Sequence, residues 1–168
     1  MTRASRSRQA LGRTRLLVLD VDGVLTDGRL YYGAGGEALK VFHVRDGHGI
    51  KQVARAGVQV AIISGRKSAA VKRRAKDLGI RHVYQGIDDK LAALRSLARK
   101  LAVELADCVC VGDDTPDAPI LKAAGVGIAV ADAHADALAA ADLITRTKGG
   151  RGAVREVCDW IITARGES

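Results

Sequence analysis

The chain has 168 residues, which suits one domain around one hydrophobic core. Apolar residues make up 48% but aromatic ones only 3%, so Val, Ile, Leu and Ala must do the packing and little is left for stacking nucleic-acid bases. A formal net charge of +8 suits a small anionic ligand better than a nucleic acid, for which no recognition motif is present.

In chain order, residues 1–15 hold Arg3, Arg6, Arg8, Arg13 and Arg15 and read as a basic, disordered arm. No apolar h-region follows, so a signal peptide is not expected. No apolar run approaches the ~20 residues of a membrane span, which makes a cytoplasmic protein the default. Leu16–Val21 is a short, nearly continuous apolar run, as are Val58–Ile63, Cys108–Val111 and Val126–Val130, with a weaker one at Leu143–Thr145. Parallel strands covered on both faces have this composition. Between them, Val71, Ala75 and Leu78 recur at helical spacing, as do Leu91, Leu94, Leu97, Ala98 and Leu101, and finally Val154, Val157 and Ile161. The alternation predicts an α/β doubly wound parallel sheet in a single domain over 16–168. One segment departs from it. Residues 28–44 show two extended halves around Gly33–Gly36, which predicts a β-hairpin where a crossover helix is expected. Cys108, Cys110 and Cys158 fit no zinc or CxxC spacing; Cys108 and Cys110 read as small core residues, and a reducing compartment is expected.

The polar residues of the predicted strands collect at their carboxyl ends, where open α/β sheets bind ligands. Asp20 and Asp22 follow the first strand, Ser64-Gly65-Arg66 the second, and Asp113-Asp114 the "VCVG" strand, while Lys90 opens a helix. Clustered carboxylates resist ionisation unless a cation neutralises them, and an all-oxygen set suits Mg2+. Asp20, Asp113 and a backbone carbonyl near Asp22 can supply such a site. Lys90 and the Ser64 hydroxyl can hold phosphate oxygens. Asp20 can then attack phosphorus, and Asp22 can protonate the leaving oxygen and later activate water. Each element alone has a plainer reading: a surface acid pair, a turn, a solvated lysine, a helix cap.

The order DxDGV, S-G-R, K, GDDxxD resembles the haloacid-dehalogenase-like phosphatases over Leu16 to Asp117. "DVDGVLTDG", "FHVRDGHGI", "YQGIDDK" and "TKGGRGAVREVCD" are similar to the 3-deoxy-D-manno-octulosonate 8-phosphate (KDO 8-phosphate) phosphatases of lipopolysaccharide biosynthesis, from about Leu16 to Ile162. The resemblance implies a fold without a large cap domain. It implies Asp20 as nucleophile and Mg2+ ligand, Asp22 as general acid/base and carbonyl ligand, and Asp113 as the third ligand, supported by Asp114 and Asp117. Ser64 and Lys90 would hold the phosphoryl group. Substrate contacts would fall on Asp22, His43, Val44, Arg45, Asp46, Gly47, Lys51, Arg66, Arg74 and Lys90. It also implies a homotetramer, in which the hairpin (28–44) and the tail (148–155) help close a neighbour's site. Pro116 departs from the bulkier apolar residues common in the family, but proline is tolerated in a helix's first turn.

Arg66 favours the octulosonate over the related 2-keto-3-deoxynononate 9-phosphate, whose phosphatases tend to carry an acid there; a guanidinium pairs with a carboxylate that an acid would repel. Three other readings stand beside this one. A phospho-acceptor signalling module shares the acid pair, but places its lysine after the last strand, whereas Lys90 precedes Asp113. A nucleic-acid binder has only the charge in its favour. An assembly partner of a sugar nucleotidylyltransferase would not need the intact catalytic set.

Overall fold

The computed structural model describes residues 3–166. Six parallel strands form the central sheet: β1 (Leu16–Leu19), β4 (Gln59–Ser64), β5 (His82–Gln85), β6 (Cys108–Gly112), β7 (Val126–Ala129) and β8 (Leu143–Ile144). Their spatial order is β5-β4-β1-β6-β7-β8. The chain therefore builds outward from β1 in one direction, then returns to β1 and builds the other way. The reversal leaves a crevice beyond the carboxyl ends of β1 and β6, where such sheets bind ligands.

Side chains alternate across the sheet because the strand period is two. Leu17, Leu19, Val60, Ile62, Val109 and Val111 pack on one face, with α2 (Val44–Arg55), α3 (Ala69–Leu78) and α7 (Ala153–Ala164). Leu16, Val18, Ala61, Ile63, Cys108 and Cys110 pack on the other, with α4 (Lys90–Lys100), α5 (Ala118–Ala123) and α6 (Ala135–Ala140). Both faces are apolar and covered, which is why these strands read as unbroken apolar runs. All three cysteines are free and buried.

The predicted hairpin is present as the antiparallel pair β2 (Tyr31–Gly33) and β3 (Gly36–Leu39), a separate two-stranded sheet. It does not replace the crossover helix, however. The crossover is made by α2, which follows the hairpin directly. Val44, the last residue of the expected hairpin, instead opens this helix. Gly47 and Gly49 dilute the apolar stripe of Ile50 and Val53, and His43 caps the start, its Nδ1 accepting from the Arg45 N–H at 3.2 Å.

Residues 3–15 also differ from the expected disordered arm; residues 1–2 lie outside the described residues. Helix α1 (Arg3–Ala10) leads into a 3-10 turn (Leu11–Arg13). Leu11 is 1% exposed within the core. The Arg8 guanidinium lies 4.8 Å from the centroid of Trp160 in α7, and Arg165 donates to the Thr14 carbonyl at 3.1 Å. One buried leucine and two arginine contacts fix a segment whose composition alone reads as solvated.

Candidate active site

Strand β1 ends in a tight turn, and Asp20, only 6% exposed, is its first residue. The Asp20 N–H donates to Val111 O at 3.2 Å, which ties the turn to β6. Ser64, the last residue of β4, is buried. Lys90 begins α4, whose N-terminus is capped by Asp89, the acceptor of the Ala92 N–H at 2.9 Å. The loop after β6 is a reciprocal capping box: Asp114 accepts from Thr115, and Asp117 reaches back to the N–H groups of Asp113 and Asp114 at 2.9 and 3.2 Å. Pro116 occupies the first turn there.

These elements converge on a cleft of about 310 Å³ lined by Asp20, Asp22, Ser64, Gly65, Arg66, Lys90, Asp113, Asp114 and Asp117, among others. Lys90 Nζ lies 2.9 Å from Asp20 Oδ1 and 2.6 Å from Asp117 Oδ1. Carboxylate oxygens of Asp20, Asp113 and Asp117 all fall within 4.8 Å of one another. Gly23 makes this approach possible. Its φ is +91°, and a Cβ there would stand 1.9 Å from Asp113 Oδ2.

The charges do not balance. Burial, then the neighbouring Asp117, push the Asp20 carboxyl up to about 6 against the pull of Lys90. Burial, then Asp20 and Asp117, push Asp113 up to about 9. Burial works to lower the Lys90 pKa, but Asp20 and Asp117 outweigh it and hold the ammonium above its ordinary value. Three acids thus share one lysine, and a second cation would relieve the deficit. Both Asp117 oxygens are already used, Oδ1 by Lys90 and Oδ2 by two backbone N–H groups. That leaves Asp20 and Asp113 as the side-chain donors, an oxygen set that fits a hard divalent ion such as Mg2+.

Among the residues singled out from the sequence, Asp20, Asp22, Ser64, Arg66, Lys90, Asp113, Asp114 and Asp117 meet in this cleft. His43, Val44, Arg45, Asp46, Gly47, Lys51 and Arg74 do not line it. Val44 and Lys51 are exposed. Asp46 is buried, with Oδ1 accepting the Arg155 N–H of α7 at 2.9 Å, so it fastens α2 to α7. Arg74 stacks 5.8 Å from the Phe42 centroid and passes so close to Gly47 that a Cβ there would meet Nη2 at 2.3 Å. The tail motif begins inside its own protomer: Gly150, at φ +67°, donates its N–H to Val24 O at 2.9 Å, and Gly149 abuts Gly23. "TKGG" therefore backs the turn that carries Asp20 and Asp22.

Sequence reasoning missed two residues at this site, Glu37 and Lys40 of the hairpin. Lys40 Nζ sits 2.5 Å from Asp22 Oδ1 and 2.9 Å from Glu37 Oε2, with its side chain 2% exposed. The available signal was a lone lysine between Leu39 and Val41.

An acid pair after the first strand, a lysine bridging to it and an acid box after the fourth sheet strand in chain order, set at the reversal of this sheet, agree with the resemblance to the haloacid dehalogenase-like hydrolases. That family matches residues 80–157. The 3-deoxy-D-manno-octulosonate 8-phosphate phosphatase KdsC of Escherichia coli K12 is 51% identical over 153 residues, covering 91% of this chain and 81% of that protein. The Yersinia pestis phosphatase of the same name is 48% identical over 157 residues, 94% and 84% of the two chains. The crystal structure of the Moraxella catarrhalis phosphatase with magnesium, phosphate and KDO superposes with a TM-score of 0.93 at 46% identity, covering 95% of this chain and 92% of that one. The chain belongs to the KDO 8-phosphate phosphatase family of haloacid dehalogenase-like hydrolases.

Proposed function

We propose that this protein is a Mg2+-dependent phosphomonoesterase that hydrolyses KDO 8-phosphate to the free sugar acid and phosphate, a step of lipopolysaccharide biosynthesis. The observation that carries the reading is the Asp20–Lys90–Asp113 cluster at the reversal of the sheet. Asp20 attacks phosphorus through a carboxylate oxygen, and the bond to the sugar oxygen breaks. Asp22 gives its proton to that departing oxygen, so the sugar leaves as an alcohol. Asp22, now ionised, takes a proton from water, whose oxygen attacks the aspartyl phosphate and releases phosphate from Asp20. Lys90 holds Asp20 in place and, with Ser64, offers donors to the phosphoryl oxygens. Asp20, Asp113 and the Asp22 carbonyl would hold Mg2+, which supplies neutralising charge against the phosphoryl oxygens. Asp114 and Asp117 keep the Asp113 loop in shape. Arg66, at the cleft rim, would pair with the sugar-acid carboxylate.

A homo-oligomer, read as a tetramer with shared sites, accounts for the remaining residues. The hairpin and its flanks expose Leu30, Tyr31, Tyr32, Leu39, Val41 and Val44, which concentrates apolar surface on one feature. Arg45, Arg146, Arg151 and Arg155 line a separate hollow of about 500 Å³. A neighbouring copy can bring His43, Arg45, Lys51 and Arg74 to an anion held at another copy's Asp20. Three free, buried thiols support a reducing, cytoplasmic setting. Among the described residues no helix is long and apolar enough to cross a membrane.

The test is phosphate release from KDO 8-phosphate, 2-keto-3-deoxynononate 9-phosphate and an aryl phosphate, each with Mg2+ and with a chelator. The octulosonate should give the highest kcat/KM, and chelation should abolish turnover. A stable phosphoprotein with no phosphate released would instead favour the signalling module. Sedimentation of the intact protein reads the oligomer.

A further inference from the structure

The hairpin side chains next to Asp22 form a network that the reaction as described does not use. Lys40 pairs with Asp22 Oδ1 and with Glu37 Oε2. Arg66 approaches the other oxygen of Asp22, with Nε 3.8 Å from Oδ2, and its Nη2 lies 3.6 Å from Glu37 Oε2. Arg66 Nη2 also donates to the Tyr32 hydroxyl at 3.2 Å. Glu37 is anchored in turn: its Oε1 accepts the hydroxyl proton of Ser68, the N-cap residue of α3.

A lysine ammonium withdrawn from water needs carboxylate partners, and this one has two. Its geometry is therefore fixed from both sides. Glu37 holds it to the rigid start of α3, and Asp22 receives it. Resting on the reading of Asp22 as the proton-transfer group, we propose that Lys40 is a positioning residue, which sets the orientation of the Asp22 carboxylate for proton transfer to the leaving oxygen and then from the attacking water. It does so without touching substrate. The hairpin thus belongs to the chemistry of its own subunit, in addition to any surface it offers a neighbour.

This role has a kinetic signature that packing alone lacks. Proton delivery matters for a sugar alkoxide, a poor leaving group, and hardly for an activated phenolate, which departs unprotonated. In the Mg2+-loaded protein, Lys40→Met should lower kcat/KM on KDO 8-phosphate by about tenfold or more while leaving kcat/KM on an activated aryl phosphate within about twofold, because kcat/KM covers the steps up to departure of the leaving group and excludes the water attack that both substrates share. Equal losses on both substrates, or no loss on either, overturn the proposal. Asp22→Asn is measured alongside. If Asp22→Asn lacks the split, the reading of Asp22 fails; if it shows the split and Lys40→Met does not, only the role of Lys40 fails. Should Lys40→Met not melt cooperatively, Glu37→Gln carries the test, because it removes the charge that anchors Lys40 while keeping the shape. It must show the same split at smaller size, and its absence overturns the proposal.

Discussion

Two charged clusters flank the catalytic turn, and they are built on opposite principles. Around Asp20, three buried or partly buried carboxylates share the single ammonium of Lys90. Around Asp22, two carboxylates, Asp22 and Glu37, meet two cations, Lys40 and Arg66. In the first cluster burial, and then the surplus of carboxylates, raises the pKa of Asp20 and Asp113. The second is balanced: Lys40 is held above its ordinary value although burial opposes this, and Glu37 is held below its own, first by the Ser68 hydroxyl. An unbalanced set calls in a metal ion; a balanced set fixes geometry.

The largest effect belongs to the unbalanced cluster. Asp20→Asn removes the nucleophile and should reduce phosphate release by about a thousandfold or more, with the fold intact by circular dichroism. Full activity in that variant would contradict the assignment. Next comes Lys90→Met, which strips from the buried Asp20 and Asp117 the ammonium they share. Its unfolding free energy in chelator should fall by about 3–5 kcal/mol, measured by denaturant titration.

Metal removal is the third and smaller test. Saturating Mg2+ at about 100 times its Kd should stabilise the protein by about 2.7 kcal/mol, and Asp113→Asn should lose most of that gain. The pH trend of the chelated protein follows from the same deficit. Asp113 has a pKa near 9 when folded against 3.8 for the free side chain. Between those values the unfolded chain gives up a proton that the folded chain keeps. Raising the pH through that window therefore favours unfolding, and the midpoint should drop as pH climbs from about 4 towards 9. A metal-free midpoint that rises over the neutral-to-alkaline part of that window would remove Asp113 from the cluster.

The contrast also separates what the sequence made legible from what it hid. Asp20, Asp22, Ser64, Lys90 and Asp113 were legible because each sits one step past an apolar run or at a helix start, so one-dimensional order already implied a common rim. β5 was not legible: it is an edge strand of half-buried residues, His82 to Gln85, without an apolar run. α2 was masked by its glycines. The Lys40 network depends on the hairpin folding back over residues 18 and more positions away, and no local pattern encodes that. Leu11 likewise helps anchor an otherwise polar arm, as one buried apolar residue that composition averages out.

The smallest effect lies outside both clusters and sets their scale. Arg73 and Asp77 form an i,i+4 pair on α3 at 3.1 Å, with side chains 79% and 50% exposed. Water and salt screen this pair, and two flexible side chains must be ordered to make it. Arg73→Ala should therefore cost no more than about 0.5 kcal/mol in a denaturant titration, and less at high salt. A loss as large as that of Lys90→Met would mean that ion-pair geometry alone, and not burial with an unmet charge, decides what these carboxylates contribute.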